Sequence, residues 1–513
     1  MSIELVTKAQ KLLNDKNTKI VNAPSSIKNK LFAKKKKVTV ITAAYNCKEF
    51  IQRCMDSVVE QSLGKEQIEF IIVDDCSTDG TQELLKANAK EHACISLVLL
   101  PENSGTAAMP RNLGIELATT EKVMFLDSDD WLAKEALEIL SETMDKNNDD
   151  FVVGKTIKVE DKGESILAEF VSYKERLHQS PTQIPYLFYH MGPPSKLMKT
   201  SIIKENTIRF PEMKFGEDKQ FLIDVLLYST YVSTLTEPIC YVNRLSNNNQ
   251  SLTRSTEVIE KRRADLEVFK SLLNRDLPLE FEKIVMKRLV EYDLIKSCDS
   301  MVFLNSKEKD EFIAIIKEAL ALLATRPYNI IESFDSPRYQ AAARMVENND
   351  FKKFISLFNW MKFEKNKHVL IDNNNAYDDV NVFEEDDPDR YIPIPLFIRA
   401  VNSFVDNDEY VQVVEVYGEK LSTIKNVVIR DRDNTDNEIE VPIVIENNSG
   451  EFRVKYKELD KLNNAFFTVF IRYDGYRLAN IKRILNNQIT YSDRKFMFYT
   501  TKAGNIGFSL KDN

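Results

Sequence analysis

The sequence contains few of the side chains from which many catalytic and metal sites are built. Histidine occurs four times in 513 residues, at His92, His178, His190 and His368. So few histidines leave little room for a multi-histidine zinc centre or a histidine-based catalytic triad. Any bound metal is therefore expected to be held by carboxylates, which favours a hard ion such as Mg²⁺ or Mn²⁺.

The cysteines and the apolar runs exclude two further classes of protein. Six cysteines are scattered along the chain without a C-x-x-C pair, which fits reduced cytosolic thiols better than a disulfide framework. No run of about eighteen apolar residues occurs, so no transmembrane helix is predicted. The N-terminus lacks the apolar core of a secretion signal. We therefore expect a cytoplasmic protein.

Positive charge is scarce outside the first part of the chain. The net charge is −9, yet residues 1–37 contain ten lysines and two acidic residues. The acidic remainder argues against nucleic-acid binding. The basic leader could contact the inner face of an anionic membrane as a peripheral protein, or it could be a solvated helix or tail.

The length of 513 residues is too great for one ordinary hydrophobic core, so several domains are expected. From residue 38, near-continuous apolar runs alternate with helical patterns, which predicts an α/β domain with a mostly parallel, Rossmann-like sheet at 38–255. Residues 256–365 have mainly helical periodicity and are assigned as a linker region. Short strand-like runs separated by Asn, Asp and Gly predict a β-sandwich at 366–513.

Polar clusters follow the predicted strands 38–42, 68–75, 95–100 and 122–127. Ligands of parallel sheets lie at the carboxyl ends of the strands, so these clusters are candidate site residues. The first strand is followed by neither a G-x-G-x-x-G motif nor a P-loop, which disfavours ordinary dinucleotide and P-loop binding.

The stretch VMFLDSDDW at 123–131 places three carboxylates at the end of one predicted strand. Crowded carboxylates repel each other and resist burial. On one interpretation, Asp129 or Asp130 caps a helix predicted at 131–144, which contributes about 1 kcal/mol. On the other, the cluster binds a metal ion. The two can coexist if Asp130 is the cap.

Five motifs occur in a fixed order, and each alone is a weak signal. They are TAAYN (42–46), VDDCSTDGT (73–81), ENSGTAAMPRN (102–112), FLDSDD (125–130) and GEDKQF (216–221). The second and third could be only turns, and the last only a helix start at which the dipole favours acids. Together, and in this order, they resemble the family-2 glycosyltransferases of the GT-A fold over about residues 38–250.

This resemblance implies a UDP-sugar donor, a divalent metal (Mn²⁺ or Mg²⁺) bound at the D-x-D motif and an inverting displacement. It implies that Asp75 reads the uracil and that Arg111 contacts the diphosphate or the sugar. Asp218 would be the base that takes the proton of the acceptor hydroxyl, already ionised if its pKa is near 3.9. The remaining implied site residues are Ala43, Tyr45 and Asn103 at the base and ribose, Asp127 and Ser128 at the nucleotide sugar, Asp129 on the metal, and Glu217 beside Asp218. Ala43 departs from the proline often found there.

A closer resemblance joins GPPSKLMKTSIIKENTIRFPEMKFGEDKQF (192–221) to the wall-teichoic-acid glycosyltransferases. It implies transfer of a hexose or N-acetylhexosamine to a hydroxyl of a phosphate-rich cell-wall polymer, and assembly of a homo-oligomer, such as a trimer, through the C-terminal sandwich. The histidine those enzymes carry near the donor diphosphate is missing from 241–254. Lys196, Arg244 and Arg254 are candidates for the acceptor or for phosphates; for the two arginines, plain surface charge is the alternative.

Two other functions remain open at this level. The same fold could build a capsular or other surface polysaccharide. Alternatively, the protein could be a non-catalytic sugar-binding or scaffold protein whose sandwich is the functional part. The four aspartates Asp75, Asp127, Asp129 and Asp218 favour an enzyme.

Overall fold

The computed structural model describes residues 2–23, 36–246, 248, 257–365, 367–432, 434–435, 437–462, 466–482, 487–491 and 494–512. The chain divides into two compact units, and each is described by itself. Unit 1 comprises Met1–Lys162 and Ile166–Leu289, and unit 2 comprises Gly163–Ser165 and Val290–Asn513. Within the described residues, no helix is both long enough and apolar enough to cross a bilayer.

The strands of the first half of the chain are β1 (Lys19–Val21), β2 (Val38–Ala44), β3 (Ile68–Asp74), β4 (Ile95–Leu99), β5 (Lys122–Phe125), β6 (Trp131–Leu132), β7 (Phe151–Glu160), β8 (Gly163–Leu167), β9 (Arg176–Gln179), β10 (Lys196–Lys199) and β11 (Val232–Asn243). The main sheet has the order β1-β4-β3-β2-β5-β10-β7-β11-β6. Strands β2 to β5 are parallel, and β10 is antiparallel to both of its neighbours. The predicted α/β sheet is confirmed, with antiparallel additions.

The helices of this half are α1 (Ser2–Leu13), α2 (Ile51–Val59), α3 (Thr81–Glu91), α4 (Ala108–Leu117), α5 (Ala136–Asn147), α6 (Glu169–Ser172), α7 (Thr200–Glu205), α8 (Glu217–Tyr228), α9 (Val258–Leu273) and α10 (Leu279–Lys287). Short 3₁₀ turns lie at Lys65–Gln67, Pro181–Gln183 and Leu187–Tyr189, and a π-helical stretch at Arg288–Ile295. The apolar face of α2, formed by Ile51, Cys54, Met55 and Val58, is buried in the hydrophobic core.

The order of the strands places a topological switch point between β2 and β5. The chain steps from β2 through β3 to β4 in one direction and then returns to place β5 on the other side of β2. Helices leaving the two sides diverge there, so a crevice opens at the carboxyl ends of β2 and β5. The TAAYN and DSDD motifs both lie at this edge.

Residues 2–21 pack as part of unit 1, through a helix and a strand. Leu5 and Ala9 on α1 are buried, and β1 pairs antiparallel with β4, with Ile20 opposite Val98. The interpretation of this part of the basic leader as a solvated tail is therefore wrong. Of its lysine run at 34–37, Lys34 and Lys35 lie outside the described residues.

The first helices of the predicted linker also pack in unit 1. Lys219 on α8 forms a buried ion pair with Asp265 on α9, and Asp224 on α8 pairs with Arg275. The edge of unit 1 therefore falls at Leu289 and not at residue 255.

Unit 2 begins with helices and ends with strands. Its helices are α11 (Met301–Asn305), α12 (Lys309–Leu323), α13 (Pro337–Glu347), α14 (Phe351–Phe363) and the short α15 (Tyr456–Leu459), with 3₁₀ turns at Lys296–Cys298, Ile331–Ser333 and Leu421–Thr423. Strands β12 (His368–Asp372), β13 (Asn375–Asp379) and β14 (Tyr391–Ile394) form a small antiparallel sheet.

The remaining strands enclose a second hydrophobic core. They are β15 (Phe397–Asp406), β16 (Glu409–Tyr417), β17 (Ile424–Asp431), β18 (Glu438–Val441), β19 (Ile443–Glu446), β20 (Ser449–Lys455), β21 (Phe466–Tyr473), β22 (Arg477–Lys482), β23 (Asn487–Tyr491), β24 (Arg494–Thr500) and β25 (Ile506–Asp512). Two layers, one built on β15, β16, β19 and β20 and the other on β17, β21, β24 and β25, are joined where β15 pairs with β22. The predicted sandwich is confirmed as a strand-rich, nearly closed structure.

Candidate active site

One arginine joins three carboxylates from two distant parts of the chain. Arg111 donates from Nη2 to Asp127 Oδ1 at 2.8 Å and from Nη1 to Asp218 Oδ1 at 2.6 Å and Glu217 Oε1 at 3.3 Å. Arg111 lies on α4 and is buried. The DSDD motif and the GED motif, about ninety residues apart, therefore meet at the crevice.

A cluster of aromatic rings packs against the guanidinium of Arg111. The Arg111 guanidinium lies 5.1 Å from the centre of the Phe210 ring, which stacks on Phe221 with ring centres 3.8 Å apart. Phe125, at the end of β5, contacts both rings edge to face. Asn112 fixes the backbone of Phe210 through two hydrogen bonds of 2.9 Å. The arginine is therefore held in one position before any ligand binds.

Glu217 and Asp218 occupy the first turn of α8. Gly216 precedes them with φ of 89°, a left-handed conformation that favours glycine and turns the chain into the helix. The positive end of the helix dipole stabilises negative charge in this turn. The side chain of Asp218 is 28% exposed, against 12% for Glu217, so Asp218 is the more accessible of the two carboxylates.

The electrostatics of Asp218 differ from the expectation of an ordinary aspartate. Burial raises the pKa of Asp218 well above its usual range, and the like charges of Glu217 and Asp127 raise it further, while Arg111 and Lys196 oppose the shift. The expectation of a pKa near 3.9 is therefore wrong. A carboxylate with a raised pKa is a stronger base when it is ionised.

The three acids of the DSDD turn have separate partners. Asp127 binds Arg111, Asp129 Oδ2 accepts from Asn248 Nδ2 at 2.5 Å, and Asp130 Oδ1 accepts from the backbone N–H of Asn243 at 2.9 Å. Burial raises the pKa of both Asp129 and Asp130, and their mutual repulsion with Asp127 adds to the effect.

The prediction that Asp129 or Asp130 caps a helix at 131–144 is wrong. Trp131 and Leu132 form β6, which pairs antiparallel with Tyr241 and Cys240 of β11, and α5 begins only at Ala136. Asp130 instead ties the turn to β11 through Asn243.

The donor atoms at this turn fit a hard divalent cation. Among the described residues, no three acidic, histidine or cysteine side chains are grouped to hold a metal by themselves. Mg²⁺ is usually held by one or two carboxylates together with substrate phosphates. Asp129 is half-buried, carries a carboxylate with a raised pKa and lies beside two further acids, so a cation here would relieve repulsion.

A second group of residues lies at the ends of β3 and β4. Asp75 accepts hydrogen bonds from the backbone N–H and the hydroxyl of Ser104, both at 2.9 Å, and burial raises its pKa. The Asn103 side chain donates to the Asp75 carbonyl at 3.1 Å. The structure thus brings Asp75 and Asn103 together.

Ala43 and Tyr45 come from the end of β2, on the neighbouring strand. Ala43 is half-buried, Tyr45 is 51% exposed and Ser128 is half-buried. The backbone turns sharply at Asn46, whose side chain accepts from the N–H of Thr78 at 2.8 Å. Ala43 and Tyr45 at the end of β2, and Ser128 in the turn after β5, lie at the same edge of the sheet.

The two cationic candidates that the structure describes have different surroundings. Lys196 is buried and donates to two backbone carbonyls. Arg244 follows β11, and its charge lowers the pKa of Asp129 and Asp130, which places it near the DSDD turn. Arg254 lies outside the described residues.

Two residues that hold the site were missed at the sequence level. Ser104 lies inside the quoted ENSG motif, but it was interpreted only as part of a turn. Asn248 lies 119 residues from Asp129 along the chain, and an asparagine in an Asn-rich stretch of sequence gives no local signal of such a contact. Both donate hydrogen bonds to carboxylates that the sequence had already singled out.

The sheet is mixed, and an Asp-x-Asp turn meets an acidic helix start at the crevice between β2 and β5. This combination places the chain in the GT-A class of glycosyltransferases. The sequence model of the family described as glycosyl transferase family 2 matches residues 39–195. The chain is 35% identical to poly(ribitol-phosphate) beta-N-acetylglucosaminyltransferase TarP of Staphylococcus aureus over 225 residues, 43% of this chain and 68% of that one. The chain belongs to glycosyl transferase family 2.

Other relatives are matched over a smaller share of their length. A poly(ribitol-phosphate) beta-glucosyltransferase of Bacillus spizizenii is 32% identical over 198 residues, 38% of this chain and 30% of its own. The crystal structure of S. aureus TarS has a TM-score of 0.58 at 17% identity, covering 93% of this chain and 85% of that one. A TarS fragment in complex with UDP-GlcNAc has a TM-score of 0.59 at 21% identity, covering 69% and 99%. These structural likenesses establish the fold.

Proposed function

We propose that this protein is an inverting glycosyltransferase that moves a hexose or N-acetylhexosamine from a UDP-sugar to a hydroxyl of poly(ribitol phosphate) wall teichoic acid. The observation that carries the proposal is the Arg111 network, which sets Asp218 beside the DSDD turn. The acceptor is proposed from the names of the relatives, two of which act on poly(ribitol phosphate).

Asp218 is proposed as the general base. As the acceptor oxygen attacks the anomeric carbon, Asp218 takes the proton of that hydroxyl, the bond from the anomeric carbon to the diphosphate breaks, and UDP departs. The attack and departure on opposite faces invert the configuration. Arg111 donates hydrogen bonds to both Asp218 and Asp127 and so fixes the orientation of the two carboxylates. It is therefore a positioning residue as well as a candidate contact for the donor.

The donor is proposed to lie along the ends of β2 to β5. Asp75, fixed by Ser104, would bind the uracil, with Ala43, Tyr45 and Asn103 lining the base and ribose. Asp127 and Ser128 would face the nucleotide sugar. Asp129 would hold Mn²⁺ or Mg²⁺, which when bound offsets the negative charge of the departing UDP.

Location and assembly are part of the proposal. A phosphate-rich acceptor made at the membrane fits a protein that works at its cytoplasmic face, and the basic residues of 1–37 would strengthen that contact. The wall-teichoic-acid resemblance supports assembly of a homo-oligomer, specifically a trimer, through residues 366–513.

A screen of donors and acceptors tests the function. UDP-glucose, UDP-N-acetylglucosamine and UDP-galactose are tested for thermal stabilisation with Mn²⁺, and the best is then offered with poly(ribitol phosphate) or with a lipid-linked sugar. We expect transfer to poly(ribitol phosphate). Transfer only to the lipid-linked sugar would favour a capsular enzyme, and no UDP-sugar hydrolysis or transfer at all would favour a scaffold.

A further inference from the structure

Residues His190–Lys196 form a loop at the same edge of the sheet as the Arg111 network. Lys196 is the first residue of β10, which runs antiparallel to β5 with Leu197 opposite Met124. The start of β10 therefore lies beside the end of β5, where the chain enters the DSDD turn. The loop that leads into β10 must lie next to this part of the crevice.

Thr156 on β7 ties the two ends of this loop together. Its hydroxyl lies 3.5 Å from His190 Nε2 at one end and donates to Ser195 Oγ at 2.7 Å at the other. The Ser195 carbonyl accepts from the Gly154 N–H at 3.0 Å, and Ser195 has a left-handed φ of 64°. The neck of the loop is thus fixed to the sheet.

Lys196 fixes the loop from within. Its ammonium donates to the carbonyl of Gly192 at 2.6 Å and to that of Pro194 at 3.1 Å. The residue is 2% exposed, and burial lowers its pKa to about 7. A surface phosphate cannot be the partner of so buried a group. The charged and titratable groups around it are Asp218 on α8, Cys240 on β11 and His190 in the loop.

We propose that the 190–196 loop is the acceptor-side wall of the active site and that Lys196 is the positioning residue that holds it there. The inference rests on the proposed function, because a general base must lie within hydrogen-bonding reach of the acceptor hydroxyl. Four charged groups act on Asp218, namely Arg111, Glu217, Asp127 and Lys196. The first three belong to the Arg111 network, which also binds the DSDD turn on the donor side. Lys196 brings its loop to the Asp218 side of the crevice from another strand.

Kinetics of two matched variants test this inference. Lys196→Met removes the charge and both hydrogen bonds, whereas Thr156→Val opens the neck of the loop and keeps the charge. Both should lower kcat/KM for the acceptor by about 10- to 100-fold, the loss expected for bonds to a charged donor, and leave the affinity for UDP unchanged. Only Lys196→Met should shift the acid limb of the pH profile upward, because removing a nearby positive charge raises the pKa of Asp218. Lys196→Arg should restore the limb.

Hydrogen exchange gives a readout that needs no acceptor. The amide of Gly154, which donates to the Ser195 carbonyl at the neck of the loop, should exchange at least about tenfold faster in both variants than in the unaltered protein, while α8 stays protected. Lys196→Gln replaces Lys196→Met if the latter does not fold. Unchanged exchange at the neck of the loop, an equal loss of UDP affinity, or an unshifted acid limb with Lys196→Met would overturn the inference. Failure of the unaltered protein to glycosylate poly(ribitol phosphate) would instead overturn the proposed acceptor, since exchange and the pH limb of UDP-sugar hydrolysis still test the loop.

Discussion

At the scale of single residues, the site depends on how Arg111 divides its hydrogen bonds among three acids. A planar guanidinium can reach Asp127 with one nitrogen and Asp218 and Glu217 with the other, and an ammonium cannot hold this geometry. Burial alone would lower the pKa of Arg111, but the three carboxylates raise it, so the charge on the arginine is permanent.

We predict that Arg111→Lys lowers transfer at least about 100-fold, because misplacing a base by about 1 Å has an effect of that size. Thermal unfolding should show a much smaller loss of stability, since the positive charge remains. Arg209→Lys is the matched control: Arg209 is equally buried but pairs with Glu116 away from the crevice. Equal activity loss in both variants would indicate a general packing effect.

The raised pKa of Asp218 predicts a particular pH dependence. The base must be unprotonated, so kcat/KM should be constant at high pH and fall as the pH drops through the folded-state pKa of Asp218. Because burial raises that pKa, the midpoint should lie clearly above the ordinary aspartate value of about 3.9. A pH series of initial rates measures it. Full activity down to the ordinary aspartate range would contradict the role of Asp218.

Single residues were predictable where a local motif marks them and unpredictable where the chain folds back. The GED motif predicted the start of a helix, and α8 does begin there, with Gly216 before its first turn and Glu217 and Asp218 in it. The pairing of Arg111 with Asp218 spans 107 residues, and no local pattern encodes it. The same reason explains why the raised pKa of Asp218 and the contact of Asp129 with Asn248 were missed.

At the scale of secondary-structure elements, α4 must approach β2 closely to bring Arg111 to the crevice. Gly114 lies on α4, and a Cβ there would overlap the side chain of Ile41 on β2. We predict that Gly114→Ala destabilises the protein by about 1–3 kcal/mol and lowers activity by displacing the helix.

Denaturant unfolding combined with transfer rates checks this prediction. Gly192→Ala is the control for stability, because a Cβ at Gly192 would meet only Pro194 at 3.7 Å. If Gly114→Ala were as stable and active as the unaltered protein, the close contact between α4 and β2 would not be needed to position Arg111.

Secondary-structure elements were predicted well where the pattern of apolar residues in the sequence is enough to distinguish a strand from a helix. The buried runs at Val38–Ala44, Ile68–Asp74 and Ile95–Leu99 are strands, as their apolar sequences indicate. The helix expected from residue 131 begins late because Trp131 also stacks on Tyr241 and pairs with it in the sheet. A strand of only two residues is too short to show an alternation of apolar and polar side chains. The sequence therefore could not distinguish it from the helix that follows.

At the scale of the whole molecule, the resemblance to wall-teichoic-acid enzymes predicts assembly through residues 366–513. Several apolar side chains in this region are exposed, including Val401, Phe404, Val405 and Val444. Light scattering coupled to size-exclusion chromatography should give three times the chain mass of 59.3 kDa. A chain ending at residue 365 should be monomeric and should still bind UDP. A monomeric full-length protein would contradict the prediction.

The order of the two kinds of fold was predictable, but the division between the units was not. Alternating periods indicated the α/β part, and evenly spaced strands indicated the sandwich. The place of Val258–Leu273 depends on buried ion pairs, such as Lys219 with Asp265, between side chains 46 residues apart. The burial of Leu5 and Ala9 likewise depends on α4, far along the chain.

The most direct test of the whole account compares the unaltered protein with Asp218→Asn. Transfer of radiolabelled sugar from the preferred UDP-sugar to poly(ribitol phosphate) is measured with Mn²⁺, and binding of UDP is measured by calorimetry. Loss of a general base predicts transfer lowered by about 10²–10⁴-fold, with UDP affinity retained. Transfer within a few fold of the unaltered protein would show that Asp218 is not the base, and would contradict the account.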